Sequence, residues 1–128
     1  MGGTNAELAR RGFEAALRGD LDTIADLLDP DVTWHGGDPT AEGACRNRNE
    51  ALAFMRQAEA ISTGRVELVD VVDAGDKVVV ITRLRSGGDQ PAPATANLSI
   101  FRDGKVIEMV HYADPQEALA AAGAEQVR

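Results

Sequence analysis

The chain has 128 residues, a size typical of one domain, and we interpret residues 1–128 as a single unit. Its net charge of −8 at pH 7 argues against a nucleic-acid partner, whose phosphates select clustered lysine and arginine. No stretch approaches the roughly 20 apolar residues of a membrane helix, and residues 1–20 lack the apolar run of a secretory signal. Cys45 is the only cysteine, which rules out an internal disulfide and favours a cytoplasmic location.

Two helices are predicted at the start of the chain. Residues 4–7, Thr-Asn-Ala-Glu, have a capping-box pattern, and apolar residues then recur at helical spacing to about Arg18. Gly19 is expected to end this helix, and Asp20 is expected to cap a second, shorter one. Pro30 should close the second helix, because proline has no backbone N–H to continue the hydrogen-bond pattern.

A strand, a loop and a third helix are predicted next. Residues 32–35, Val-Thr-Trp-His, are strand-like, and the glycine-rich residues 36–43 indicate a loop. Either Asn47 or Asn49 can cap the helix that follows. The apolar residues of this helix recur on one face, and they are Ala51, Phe54, Met55, Ala58 and Ile61.

Beyond residue 65 the apolar period changes from about 3.6 to about 2, which indicates strands. Four β-branched runs are separated by turn residues, at about 66–73, 77–85, 94–102 and 105–113. The pair Asp103-Gly104 is a strong hairpin signal between the last two runs. Asp114 and Pro115 then start a final helix, and Gly123 ends it.

Helices followed by an antiparallel sheet predict an α+β domain with helices on one face of a curved sheet. This order of elements resembles the SnoaL-like branch of the nuclear transport factor 2-like superfamily, over about residues 5–122. Two short segments add to the resemblance: Asp-Val-Thr-Trp at residues 31–34 and Asp-Gly-Lys-Val-Ile-Glu at residues 103–108.

The resemblance implies a cystatin-like α+β barrel, in which a cone-shaped, bent antiparallel sheet wraps around the N-terminal helices. It also implies an apolar cavity and frequent dimers. Members of the superfamily include polyketide cyclases, ketosteroid isomerases, epoxide hydrolases, dehydratases and non-enzymatic transport or assembly domains.

The last predicted strand has one of the two histidines at its far end. Because strand side chains alternate, Ile107, Met109 and His111 share one face, and Glu108 lies on the other, which we expect to be wetted. His111 should therefore point into an apolar interior with Met109 as a ligand contact. Burial there would lower the pKa of His111 and leave a neutral base for a carbonyl compound. In the polyketide cyclases that the chain resembles, an acid/base aspartate lies at or near this position. A core histidine bonded to the backbone is the alternative.

A second group of candidates lies where the first strand meets the glycine-rich loop. In the isomerases of the superfamily a catalytic aspartate follows this strand, and the resemblance makes His35 and Asp38 its nearest counterparts. Trp34 offers a large apolar face, which either packs in the core or lines the cavity. The choice depends on whether Val32 and Trp34, or Thr33 and His35, point inward. For Asp38 the alternative is a solvated loop carboxylate.

Polar side chains on the middle and last strands are further ligand-binding candidates. Arg83 and Arg85 share a strand face, where they either clamp a carboxylate or enolate oxygen or lie at a strand end or subunit contact. Asn97 faces either the ligand or solvent, together with Ser99. Tyr112 completes the set of expected ligand contacts.

The sequence predicts neither a metal nor a cofactor. Its two histidines and one cysteine lack the spacing of metal-binding motifs. There is no Gly-x-Ser-x-Gly elbow, Walker loop or Gly-x-Gly-x-x-Gly, so serine hydrolase and nucleotide-binding functions lack support. Cys45 is expected to be a buried, unreactive thiol.

The other face of the predicted sheet is also apolar. Six residues give it this character: Val78, Val80, Leu84, Val106, Val110 and Tyr112. An apolar sheet face must be covered, and a symmetric homodimer through the sheet is the expected cover.

Two functions of different kinds remain open. One is a small enzyme that acts by acid/base chemistry on an apolar carbonyl compound, like a polyketide cyclase or an isomerase, with His111 as the base. The other is a non-catalytic ligand-binding or dimerisation module of the same fold. Both predict an apolar small molecule as the ligand, and the enzyme requires a cavity of roughly 300–1,000 Å³.

Overall fold

The structure, a computed structural model, describes residues 4–38, 40–57, 66–84 and 93–123. Within these residues it contains four helices and five strands. In chain order they are α1 (Asn5–Arg18), α2 (Leu21–Leu27), β1 (Leu28–His35), α3 (Arg48–Gln57), β2 (Val66–Ala74), β3 (Lys77–Leu84), β4 (Thr95–Arg102), β5 (Lys105–Tyr112) and α4 (Pro115–Ala122).

The five strands form one curved, unclosed sheet in the order β1-β5-β4-β3-β2. β1 pairs in parallel with β5, and the other neighbouring strands are antiparallel. The three N-terminal helices lie against one face of this sheet. The predicted α+β class is confirmed.

The ends of α1 and α4 follow the local signals read from the sequence. The Thr4 hydroxyl accepts the backbone N–H of Glu7 at 3.1 Å, and the Glu7 carboxylate accepts that of Thr4 at 2.8 Å. These two bonds complete the capping box of α1, and Gly19 ends the helix in the left-handed conformation. Asp114 caps α4, and Gly123 ends it in the same way as Gly19 ends α1.

The third helix is capped by one of its two candidate residues. The side-chain oxygen of Asn47 accepts the backbone N–H of Glu50 at 2.9 Å, so Asn47 rather than Asn49 caps α3. Some groups named in the predictions from the sequence lie outside the described part of the structure. They are Ala58, Ile61, Arg85 and the side chain of Leu84.

β1 is longer than predicted. It begins at Leu28 instead of Val32 and therefore includes Pro30. β1 lies at the edge of the sheet, where a missing backbone N–H costs little, and its register with β5 shifts between Leu28 and Thr33. The expectation that Pro30 closes the second helix is wrong, because α2 already ends at Leu27.

Both hairpins have the turns that the sequence predicts. Gly75 and Asp76 connect β2 to β3, and Asp103 and Gly104 connect β4 to β5. The φ angles of Asp103 and Gly104 are 53° and 78°. Positive φ at both central residues defines a type I′ turn, whose twist matches that of the flanking strands.

A register shift between β4 and β5 changes which β5 side chains face the helices. The shift falls between Ile100 and Phe101, whose partners are Glu108 and Val106. Simple alternation placed Val106 on the face of Glu108, and this expectation is wrong. Val106 and Met109 both belong to the core beneath α1, α2 and α3, because the bulge leaves one β5 residue unpaired between them.

The sheet packs against helices on both faces. We call the face under α1, α2 and α3 the inner face and the face under α4 the outer face. The sequence analysis placed Val78 and Val80 on the face opposite the N-terminal helices, and this expectation is wrong. Both lie in the inner-face core, and Val79 between them lies on the outer face. Ala118 and Ala122 of α4 pack with Val79 on the outer face. The helix therefore covers part of the surface that the sequence assigned to a dimer, and the homodimer stays a prediction.

We expect Gly104→Ala to lower the free energy of unfolding by about 1 kcal/mol, because an alanine Cβ is strained at positive φ. Gly36→Ala is the matched control, since a Cβ there meets open space and its φ lies outside the left-handed region. Equilibrium urea unfolding measures both variants. A cost at Gly104 no larger than the cost at Gly36 would contradict the type I′ turn.

Candidate functional site

A cavity of about 790 Å³ lies between α1, α2 and α3 and the inner face of the sheet. Its helical wall is apolar and includes Leu8, Phe13, Phe54 and Met55. Its sheet wall combines apolar side chains such as Met109 with several polar ones. The volume falls within the range of small-molecule sites, so the structure contains a cavity of the expected size.

Three residues of β4 contribute to the polar part of the sheet wall. Thr95, Asn97 and Ser99 alternate along the strand and border the cavity, and we call them the β4 polar row. Asn97 is the strand partner of His111 on β5, and Thr95 is the partner of Thr82 on β3. Asn97 and Ser99 thus face the cavity, which decides between the two orientations that the sequence left open.

Trp34 borders the cavity from β1. Its indole N–H donates a hydrogen bond to Oδ1 of Asn97, with a distance of 3.2 Å between Nε1 and Oδ1. Its ring is edge-to-face with that of Phe54, at a centroid separation of 5.0 Å and an interplanar angle of 82°. Val32 and Trp34 both pack in the inner-face core, so this pair, and not the pair that contains His35, points inward.

The His35 ring is buried, and both of its nitrogens have partners. Its side chain is 4% exposed, and Nε2 lies 2.7 Å from Oε2 of Glu108. The backbone N–H of Gly37 donates to Nδ1 at 3.0 Å. Because Nδ1 is an acceptor, we assign the ring proton to Nε2, which donates it to Glu108. This arrangement leaves His35 no free lone pair with which to take a proton from a ligand.

Glu108 makes a contact that was not expected from the sequence. It was expected on a wetted face, but it is half-buried and bonded to His35, 73 positions away in the chain. The parallel pairing of β1 with β5 brings the two together, since Thr33 is the strand partner of Glu108. A charged residue within an apolar strand was the one local signal of this contact.

His111 lies at the rim of the cavity. It borders the cavity together with Met109, which is 8% exposed, but His111 itself is an exposed residue. The expectation that its ring is buried in an apolar interior is therefore wrong. His111 still shares a face with Met109 and is the strand partner of Asn97, so a ligand in the cavity can reach it.

Three other candidates have different surroundings. Arg83 borders the cavity, but its Nε donates to the Glu67 carboxylate at 3.0 Å, and both side chains are partly exposed. Tyr112 packs in the outer-face core and does not border the cavity. Asp38 is exposed and also lies apart from the cavity. Hydrogen bonds from the hydroxyl and backbone N–H of Thr40 hold the pKa of Asp38 below its ordinary value.

The structure thus brings part of the predicted set together at the cavity: Trp34, Asn97, Met109 and His111, with Arg83 at the border. His35 also borders the cavity, although both of its ring nitrogens are already bonded. It does not bring Asp38 or Tyr112 there. Sequence reasoning missed the polar pair Thr82 and Thr95. Their alternation with apolar neighbours was visible, but which face they share depends on strand register.

Cys45 lies in the cavity wall next to Trp34. The backbone N–H and C=O of Cys45 both pair with the backbone of Trp34, at 2.8 Å each. The residue is 7% exposed, and burial raises the pKa of its thiol. A smaller thiolate fraction makes this thiol a poor nucleophile.

Within the described ranges, no three His, Cys, Asp or Glu side chains are grouped closely enough to hold a metal ion. None of the helices in those ranges has the length and apolar character needed to cross a membrane.

The bent sheet with helices on its inner face is a fold that the chain shares with solved nuclear transport factor 2-like proteins. The sequence profile of the SnoaL-like domain matches residues 9–109, and the chain belongs to this family. No functionally curated protein matches the chain.

Several solved structures share the fold over most of their length. Bal32a, from a soil-derived mobile gene cassette, is 26% identical, with 84% of this chain and 87% of Bal32a covered and a TM-score of 0.67. A nuclear transport factor 2-like protein of unknown function from Burkholderia pseudomallei is 21% identical, with 93% and 97% covered and a TM-score of 0.65. A Sinorhizobium meliloti protein provisionally described as a polyketide cyclase is 16% identical, with 82% and 93% covered and a TM-score of 0.63.

The two histidines should differ in their effect on stability. We expect His35→Ala to lower the free energy of unfolding by about 3 kcal/mol, because it opens a buried gap and removes the partner of both Glu108 and the Gly37 N–H. His111→Ala should change it by less than about 0.5 kcal/mol, because the residue is exposed. Urea unfolding measures both, and equal losses would contradict the different surroundings of the two rings.

The thiol of Cys45 should be slow to alkylate. We expect iodoacetamide at pH 8 to modify it at least about tenfold more slowly than in the urea-unfolded chain, because a raised pKa lowers the thiolate fraction. In the folded protein the rate should keep rising at pH values where the rate in the unfolded chain has levelled off. Mass spectrometry of the intact chain follows the reaction, since Cys45 is the only cysteine. Equal rates in the two states would rule out a buried thiol.

Proposed function

We propose that the protein binds an apolar carbonyl compound in the cavity and acts on it by acid/base chemistry, as a polyketide cyclase or an isomerase does. The observation that supports this proposal is the division of the cavity into an apolar helical wall and a sheet wall with the β4 polar row. The helical wall favours a hydrophobic skeleton, since buried apolar surface contributes about 25 cal/mol per Å² before the costs of association. The polar row offers hydrogen bonds to a ligand oxygen.

His111 is the proposed base. As the strand partner of Asn97, it lies beside the amide that would hold the ligand oxygen. An imidazole is the side chain best suited to take and return a proton near neutral pH. A ligand bound against Asn97 would also shield the ring from water. His35 is the weaker candidate, because its Nδ1 already accepts the Gly37 N–H.

The proposed step is proton transfer from the carbon next to the carbonyl to a ring nitrogen of His111. The electron pair of the broken C–H bond forms the double bond of an enolate, and the negative charge moves to the oxygen. Hydrogen bonds from the Asn97 amide and the β4 hydroxyls stabilise that charge. In an isomerase the imidazolium returns the proton to another carbon of the extended enolate. In a cyclase the enolate carbon attacks a second carbonyl of the same molecule, and the oxygen of that carbonyl takes the proton.

The second candidate function is a ligand-binding module without catalysis. The exposure of His111 favours it, because a general base works best when it is held in one orientation. Among the described residues, no acid or base is hydrogen-bonded to His111 to hold it. Binding and catalysis therefore need separate measurements.

The proposal includes a cytoplasmic homodimer. The single cysteine supports the location. The outer face supports the assembly, since Val72, Ile100 and Tyr112 remain partly exposed beside the region that α4 covers. Together these residues present a smaller apolar area than the whole sheet face for which the sequence predicts a dimer contact.

Catalysis can be tested without knowledge of the natural substrate. 2-Acetylnaphthalene is an apolar methyl ketone, and exchange of its methyl protons in D2O, followed by NMR, reports proton abstraction next to the carbonyl. We expect the protein to accelerate this exchange and His111→Gln to reduce the acceleration by at least about a hundredfold, the usual contribution of a general base. Binding, measured by calorimetry, should weaken by less than about threefold in the same variant.

The outcomes separate the two functions. Binding without accelerated exchange would contradict the enzyme and support the ligand-binding module. Exchange that survives in His111→Gln but disappears in His35→Gln would identify His35 as the base and contradict the role proposed for His111. Absence of binding to this ketone and to a panel of larger cyclic enones would contradict both functions.

A further inference from the structure

The contact between Trp34 and Asn97 crosses an intervening strand. Trp34 lies on β1 and Asn97 on β4, and β5 lies between them in the sheet. On β5 the strand partner of Trp34 is Met109, and that of Asn97 is His111. The indole therefore extends over β5 to reach the amide at 3.2 Å, next to the proposed base.

The chemistry of the two groups determines which end of the amide faces Trp34. An indole N–H can only donate, whereas the Asn97 amide has an accepting oxygen at one end and a donating NH2 group at the other. A flipped amide would bring two donors together, so the oxygen must face the indole. The NH2 group of Asn97 is then directed away from Trp34.

Trp34 is itself held by contacts of both its backbone and its ring. Its backbone pairs with Cys45 through two hydrogen bonds of 2.8 Å, and its ring packs edge-to-face on Phe54. A rotation of the indole would lose the aromatic contact and leave the N–H beside an apolar wall. The orientation of Asn97 is thus tied to a side chain that has contacts of its own.

The other two members of the β4 polar row do not have a fixed direction of hydrogen bonding to a ligand. Thr95 and Ser99 have hydroxyl groups, which rotate and either donate or accept as the ligand requires. Asn97 is the member of the row whose hydrogen-bonding direction is determined by a protein contact. It is therefore the residue that can distinguish an accepting ligand group from a donating one.

We propose that Trp34 is a positioning residue that presents the Asn97 NH2 group to the cavity, and that this pair selects ligands with a hydrogen-bond acceptor, a carbonyl or enolate oxygen, beside His111. The inference rests on the proposed function and narrows its ligand class. It assigns the oxygen-binding role to one amide.

The selectivity is measured with two ligands of the same shape. 2-Acetylnaphthalene has a carbonyl oxygen, and 2-isopropenylnaphthalene has a CH2 group in its place. We expect the protein to bind the ketone about three- to tenfold more tightly than the alkene, the effect of one net hydrogen bond. Calorimetry gives both affinities for each variant.

Asn97→Asp and Trp34→Phe test the two halves of the pair. Asn97→Asp keeps an acceptor for the indole but cannot donate, so the preference for the ketone should disappear. Trp34→Phe keeps an aromatic ring against Phe54 but removes the N–H, so the amide can flip and the preference should fall by at least about half. Tyr112→Phe, which removes a polar atom from the outer face, should retain the full preference.

A second measurement does not depend on the ligand or on the folding of Trp34→Phe. The chain has one tryptophan, so its indole N–H gives a single NMR cross-peak, and Asn97→Ala should shift that peak upfield by removing its acceptor. An unchanged peak would overturn the proposed contact.

The remaining outcomes are distinct. Equal affinity of the protein for ketone and alkene, or a preference that persists in Asn97→Asp, would overturn the selectivity while leaving the cavity as a binding site. A preference that persists in a folded Trp34→Phe would overturn the positioning role. Failure of the unaltered protein to bind either compound or the panel of larger cyclic enones would instead contradict the proposed function on which the inference rests.

Discussion

The parallel pairing of β1 with β5 determines what each face of the sheet can do. It places Trp34 beside Met109 of the inner face and His35 beside Val110 of the outer face, at successive positions of one edge strand. From there the indole reaches Asn97 and the imidazole reaches Glu108. Both polar contacts depend on a single strand register, because a slip of one residue would exchange the faces of the two rings. The edge strand therefore organises the chemistry of a cavity whose polar groups come mainly from the central strands.

The two histidines differ because their surroundings differ. His35 is buried with both nitrogens bonded, and it joins the edge of the sheet to the start of the following loop at Gly37. A fully paired polar group of this kind stabilises one local structure. His111 lies on the opposite face of the sheet from His35 and at the rim of the cavity. A ring in that position is available to a ligand, which is why the proposed proton transfer is assigned to His111.

Much of the fold was predictable because its ends and turns have local causes. The cap at Thr4 and the turn at Asp103-Gly104 depend on groups only a few residues apart, so the neighbouring sequence suffices. The failures involve distant contacts. The start of β1 at Leu28 depends on its edge position in the sheet, and the partial burial of Glu108 depends on a partner 73 positions away. In the candidate site the face of His111 was predictable from alternation, but its exposure depends on where the cavity opens.

The helices contribute apolar contacts to the cavity, whereas its polar contacts come from the strands, which also add apolar ones. Leu8, Phe13 and Met55 contribute only bulk, so exchanges among aliphatic and aromatic side chains at these positions can reshape the space at modest cost to the core. The β4 polar row is positioned by the backbone ladder and by the contact between Trp34 and Asn97, neither of which involves these three side chains. Ligand size and ligand chemistry can therefore diverge independently in this architecture, and a protein engineer can alter one while leaving the other as it is.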